Sequence, residues 1–305
     1  RRRAPHSADR APVSRRDTTF GRRRAPGAAR KQKGHDFGTQ GDPPQHPALI
    51  DWLAVELVES GWSMKHIHAR IVLSATYRQS SRVDASLLER DPYNALYARG
   101  PRLRLSAEAI RDNALAASGL LSSKMYGPPV YPPQPDQIWR HIGRNAPKYA
   151  TSTGDDRFRR GVYVIWRRSA PYPSFVNFDA PDRAACVITR SRTNTPLQAL
   201  TLLNDPAYVE MARALARRLL VDRPDSEMAE RLRYGFRLCV AREPNSVELG
   251  HLVAVFDNQR RRFEADPKAA TQVVGGNAIN DLGEEAALFQ IANILLNLDE
   301  TITRN

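Results

Sequence analysis

From Gly41 onward, apolar residues recur mostly at helical spacing. In "PALIDWLAVELVESGW", Leu49, Leu53 and Leu57 share a face. Pro47 suits the first turn of such a helix and Gly61 its end. Ser63 then caps "SMKHIHARIVLSATY", whose inward residues are Met64, Ile67, Ile71 and Ala75. The two segments predict an αα-hairpin. Asp91-Pro92 breaks the chain. Ser106 caps the next helix, "AEAIRDNALAASGLL", with Ile110, Ala114, Ala117 and Leu121 along its stripe.

The pattern then changes. "GPPVYPPQP" (127–135) holds five prolines and predicts no regular element, and one turn of helix follows at "DQIWRHI". "GVYVIWRR" (161–168), β-branched and aromatic, predicts a strand. Helical spacing returns at Pro196. Thr195-Pro196 and Asp205-Pro206 are cap and first-turn pairs for "PLQALTLLN" and "PAYVEMARALARRLL". "SEMAERLRYGFRLCVA" and "SVELGHLVAVFDNQRRRFEA" predict a second hairpin across "REPN". "KAATQVVGGNAIND" reads as low complexity, and "GEEAALFQIANILLNLD" as the last helix. The fold class is mainly α: an irregular helical domain with a long Pro-rich middle loop and room for one short β-hairpin.

Charge divides the chain. Its net charge of +13 resembles a nucleic-acid signature. Residues 1–33, however, hold 12 Lys/Arg against 2 Asp/Glu, while residues 34–305 hold 34 against 31. The first leucine or isoleucine is Leu49. Residues 1–33 therefore read as a disordered basic tail, rich in Arg, Ala and Pro in the way of a mis-called or out-of-frame start. The near-neutral remainder predicts no specific nucleic-acid binding. No apolar run is long enough to span a membrane, and no signal-peptide pattern is present.

Most chemical motifs are missing. His66 and His68 point about 200° apart on a helix, which does not suit chelation. No Cys-x-x-Cys, His-Glu-x-x-His, EF-hand loop, Gly-x-Gly-x-x-Gly or P-loop occurs, so no metal site or cofactor is predicted. Without Cys-x-x-Cys-His, haem has no attachment in this chain. Cys186 and Cys239 make no disulfide framework. A guanidinium near Cys186 could activate it, but a small apolar role accounts for a free thiol equally simply.

The densest polar writing is "FDAPDRAACVITRSRTNTPLQALTLLNDP" (178–206). Thr195, Asn204 and Asp205 are cap or turn residues, and Asp179 before Ala-Pro is a turn initiator. Two helix starts within ten residues supply free N–H donors and positive dipole ends. Asp179, Asp182, Arg183, Arg190, Arg192, Asn194, Thr195 and Gln198 thus form the candidate ligand-binding cluster, suited to sulfate, phosphate or a sugar carboxylate. An internal Asp–Arg network, in which Arg183, Arg190 or Arg192 pairs with Asp179 or Asp182, accounts for the same residues. No residue is assigned as catalytic.

Four blocks, "GDPPQHPALIDWLAVELVESGWSMKHIHARIVLSATYRQSS", "DPYNALYARGPRLRLSAEAIRDNALAASGLL", "FDAPDRAAC" and "RTNTPLQALTLLNDPAYVE", together resemble the planctomycete-specific C-terminal domain of unknown function, the planctomycete domain-one family. The likeness runs from about Asp36 to Asn305. The resemblance implies an extracytoplasmic module, periplasmic or at the cell surface. It implies association with a cytochrome-c-like domain or protein that would carry the haem. It also implies a helix missing before Asp36, so that 34–305 is N-terminally incomplete. No activity comes with the family. Three roles stay open: binding an anionic or polymeric substrate, enzymatic action on polysaccharide through 179–198, and structural docking of a cytochrome partner.

Overall fold

Capped helices account for most of the architecture. The computed structural model describes residues 44–141, 148–187 and 190–304. The predicted tail, 1–33, lies outside the described residues. The chain divides at Pro47 into two units, the second being Ala48–Asn305.

Its helices are α1 (Pro47–Glu59), α2 (Met64–Leu73), α3 (Ala85–Arg90), α4 (Ala107–Ala117), α5 (Pro173–Asn177), α6 (Pro196–Asn204), α7 (Pro206–Asp222), α8 (Met228–Val240), α9 (Ser246–Ala265), α10 (Pro267–Val274), α11 (Leu282–Asn297) and α12 (Asp299–Ile302). The fold is mainly α. The core forms around α11, which is apolar on most sides and packs against α6, α7, α8, α9 and α10. α8 reaches this layer at Gly235, where a Cβ would lie 3.1–3.2 Å from Leu219 and Leu295. Any larger residue there would push α8 off α7 and α11.

Three of the predicted caps make their bonds, and Thr195 makes none. Ser63 accepts from His66 N–H, Ser106 from Ala109 N–H, and Asp205 from Ala207 N–H. Pro196 and Pro206 occupy first-turn positions. The second hairpin is α8–α9, with a full capping box between Asn245 and Glu248.

Four expectations fail for identifiable reasons. Residues 161–168 form no strand: Gly161–Tyr163 is a 3-10 turn, followed by a single bridge between Val130 and Val164. Val130 is flanked by Pro128, Pro129, Pro132 and Pro133, which have no N–H to extend a ladder. The sheet is instead β1 (Leu103–Arg104) against β2 (Thr303–Arg304), an antiparallel pair rather than a hairpin, and two residues are too few to leave a periodic signature. The low-complexity stretch contains α10, capped by Asp266 and ended by Gly275 in the left-handed region. Leu121 lies past the end of α4 and is exposed, off the predicted stripe.

α1 and α2 differ in packing rather than in kind. They are tied by Glu56, which accepts from His66 Nε2 at 2.5 Å and Arg70 Nε at 3.0 Å. α1 buries no residue, and α2 buries only Ile67; Met64 and Ile71 are exposed. No helix among the described residues is long and apolar enough to cross a membrane.

Candidate functional site

The N-terminal half of α4 organises the chain around the polar cluster. Arg111 is buried and donates to the carbonyls of Arg159 at 2.5 Å and Arg157 at 3.0 Å. The next residue, Asp112, accepts from Gly161 N–H at 2.5 Å. A Cβ on Gly161 would lie 2.9 Å from the Glu108 Cα, so the loop can approach α4 only with glycine there. Burial raises the Asp112 carboxyl above its ordinary range, against the pull of Gly161 N–H and Arg111. Arg159 is buried too. It donates to the Pro128 and Tyr126 carbonyls and stacks 3.7 Å from the Tyr163 ring centre. Two arginines thus clamp the Pro-rich loop and the 157–164 segment onto α4.

The clamp presents residues 165–168. The Trp166 indole N–H donates to the Asp182 carbonyl at 3.3 Å, and the Arg183 guanidinium lies 4.8 Å above that ring. Arg167 lies 5.1 Å above Trp139, which meets Tyr131 and Tyr149 edge to face with ring centres 6.1 and 5.1 Å away. Asp179, with φ +59°, accepts from Thr193 N–H at 2.6 Å and from its hydroxyl at 2.8 Å. Gln198 is buried and donates to the Thr193 hydroxyl at 3.0 Å, leaving its own Oε1 unpartnered. Thr195 is the N-cap of α6 by position, but its hydroxyl makes no cap bond.

The expected Asp–Arg pairing is not what forms. Arg190 makes two bonds to Glu108, at 2.8 and 3.0 Å, and Arg183 takes the Trp166 face. Asp182 accepts from Ala184 N–H in its own turn. Arg192 and Asn194 are exposed, and their side chains have no partner among the described residues. Asp179, Thr193 and Gln198 are brought together; the arginines point elsewhere. The α7 start is already occupied by the Asp205 carboxylate, so that helix end is no open anion site.

Two features of this region escape a residue-by-residue reading. Residues 157–192 contain eight arginines against Asp179 and Asp182, more than the whole excess of 34–305. Of these arginines, 159, 167, 168, 183 and 192 have no carboxylate partner among the described residues, and all of them but the buried Arg159 are also free of carbonyl bonds there. A segment-wise charge count would have found them, as would the repeated Ile-Trp-Arg at 138–140 and 165–167. The second feature is Asp205, nine-tenths buried near Tyr149, Tyr172, Tyr208 and Arg111. Desolvation pushes its carboxyl up to about 6, only partly opposed by Ala207 N–H and Arg111.

Trp139 is buried and each indole carries an arginine on one face, so what these side chains can offer a ligand is the outer edge of the guanidinium, a planar fork for a carboxylate or sulfate. A separate groove of about 720 Å³ along α7 lacks that freedom. Arg213 there holds the Gln272 and Val273 carbonyls, and Arg218 those of Ala116 and Ala117. Cys186 is exposed; Cys239 is buried, which pushes its thiol up to about 12.

The Arg190–Glu108 pair makes a simple prediction. Its side chains are 42% and 18% exposed. Arg190→Ala should therefore cost no more than about 1 kcal/mol in urea unfolding, as for exposed ion pairs. A cost of several kcal/mol would show that the pair carries the loop.

Fold and surface together define a mainly α-helical domain with a basic face, two of whose arginines stack on indoles. The chain belongs to the PSD1 family of proteins of unknown function (DUF1553), whose profile matches residues 31–256. That span begins three residues inside the basic tail and ends within α9, so α10 to α12 lie beyond it. No curated protein and no solved structure matches the chain.

Proposed function

We propose that this domain binds an anionic polymer, of the class of sulfated or uronic polysaccharides, on the face built by residues 157–192. The observation that carries the reading is the set of four arginines, 167, 168, 183 and 192, with neither a carboxylate nor a carbonyl partner among the described residues, two of them stacked on Trp139 and Trp166. Stacked guanidinium groups are held in place before a ligand arrives, which lowers the ordering cost of binding. The periplasmic or cell-surface setting and the cytochrome-c-like partner implied by the family resemblance belong to the same proposal.

The geometry favours binding over hydrolysis. A glycosidase places two carboxyl groups about 5–9.5 Å apart across the scissile bond. Asp179 and Asp182 are instead engaged in their own loop, by Thr193 and by Ala184 N–H.

The test uses the full chain on immobilised heparin. Replacing Arg168, Arg183 and Arg192 together by alanine should lower the eluting salt concentration well below that of the parent. The melting temperature should stay within a few degrees, because these side chains are largely exposed. Arg1, Arg2 and Arg3→Ala removes the same charge from the tail. Equal shifts from the two variants would reduce the effect to net charge and sink the proposal.

A further inference from the structure

α11 runs through the core, and Ile294 is its only exposed residue. It opens on a pocket of about 460 Å³ between α9 and the corner where α11 passes into α12. Phe236 of α8, Leu252 and Val255 of α9, Ile294 and Leu298 make the apolar walls. Phe236 and Leu252 are buried, so the pocket reaches into the core rather than resting on the surface. Small-molecule sites span about 300–1,000 Å³ and combine apolar walls with a few fixed polar groups.

Here the polar groups stand at one rim. Arg242 lies 4.9 Å above the Phe236 ring. It forks Glu248 at 2.7 and 2.8 Å and meets Glu300 at 2.8 and 3.0 Å. A fifth bond goes to the Glu243 carbonyl. A guanidinium has five N–H groups, so none is left for an anionic ligand. Two carboxylates share this one cation, which leaves one negative charge in excess. The bonds from Arg242 hold the Glu248 carboxyl down to about 2, so that charge persists at any ordinary pH. Glu300 is 39% exposed, and each of its oxygens keeps acceptor capacity beyond the bond from Arg242. Asp299, at the same rim, is answered by Arg102 and Arg104. His251 is the remaining polar side chain there and is exposed. The Arg242 network also fixes the rim before any ligand arrives, which lowers the ordering cost of binding.

We infer that this pocket binds a small hydrophobic cation, an amine or quaternary ammonium whose tail or ring lies against Val255 and Ile294 and whose head meets Glu300. An anion finds no free guanidinium N–H at Arg242 and faces the excess charge. A neutral apolar molecule gains the walls alone. The site shares no residue with the 157–192 face, has the opposite sign, and does not depend on the polymer reading.

Isothermal titration of the full chain at pH 7 with three matched probes decides the matter: 3-phenylpropylamine, 3-phenylpropan-1-ol and 3-phenylpropanoate. The amine should bind most tightly. The chain's net charge of +13 favours the carboxylate, so a preference for the amine arises only from a local site. Glu300→Gln should weaken the amine about tenfold, the order of one hydrogen bond to a charged group, and leave the alcohol unchanged. Asp257→Asn removes the same charge from an exposed position of α9 outside the pocket and should change neither. Ile294→Trp, which fills the pocket, should weaken amine and alcohol together with unchanged circular dichroism. The inference is overturned if the amine shows no saturable binding, or binds no better than the carboxylate. Equal losses from Glu300→Gln and Asp257→Asn overturn it too, as does an Ile294→Trp variant that binds the amine like the parent.

Discussion

Arg111→Ala is expected to lower the unfolding free energy by about 3–5 kcal/mol, the range for stripping one member from a buried charged network. Its guanidinium is enclosed, and it closes the space between α4 and the 157–161 segment with two carbonyl bonds. Charge-assisted bonds of this kind contribute about 1.5–3 kcal/mol each. Truncation strands both carbonyls, opens a side-chain-sized cavity, and removes the cation beside Asp205. Arg111→Lys should recover little, because a single ammonium does not span two carbonyls held by a fork. Urea unfolding at pH 7 measures the loss. Limited proteolysis should show new cleavage at Arg157, Arg160 and Arg167, since the clamp that holds those residues is gone. A loss below about 1 kcal/mol would mean the segment is anchored elsewhere, the outcome for a mutation away from any key contact. Under the proposed function, a loosened 165–168 segment no longer holds Trp166 and Arg167, and polymer binding should fall with it.

Helix starts were legible because their signals are local. Ser63, Ser106, Thr195-Pro196 and Asp205-Pro206 mark starts within two or three residues. Asp266-Pro267 is the same device and starts α10, but bland composition after it masked the signal. The strand expected at 161–168 shows the opposite failure. Its β propensity is genuine, yet propensity cannot supply N–H donors that a proline-rich neighbour lacks. The candidate cluster fails in a third way. Asp179, Asp182 and the arginines lie close in sequence, which suggests pairing, yet the carboxylate that takes Arg190 is Glu108, 82 positions away. Arg183 and Arg167 settle on indoles whose approach depends on the Arg111 and Arg159 clamps. Long-range partners of this kind leave no local pattern, whereas the basic bias of 157–192 does.

Asp205→Asn should stabilise the domain above pH 7 and change little near pH 4. Asparagine keeps an oxygen to accept from Ala207 N–H and is as good an N-cap as aspartate. What it removes is the cost of ionising a carboxyl enclosed beside Tyr149, Tyr172 and Tyr208. In the folded chain Asp205 keeps its proton up to about pH 6; in the unfolded chain it ionises near 3.8. Between those values the folded state binds more protons, so its stability declines as pH rises, and the deficit persists above pH 6. Two pH units correspond to about 3 kcal/mol, and the favourable field at the α7 start returns about 0.3–1 kcal/mol, leaving about 2 kcal/mol. Unfolding free energies of parent and variant, compared from pH 4 to pH 8, should therefore coincide at the acid end and diverge through pH 4–6. A variant less stable than the parent at pH 8 would mean that attraction from Arg111 outweighs desolvation. In that event Asp205 and Arg111 would act as an ion pair, and the Arg111→Ala loss should shrink when measured in the Asp205→Asn background.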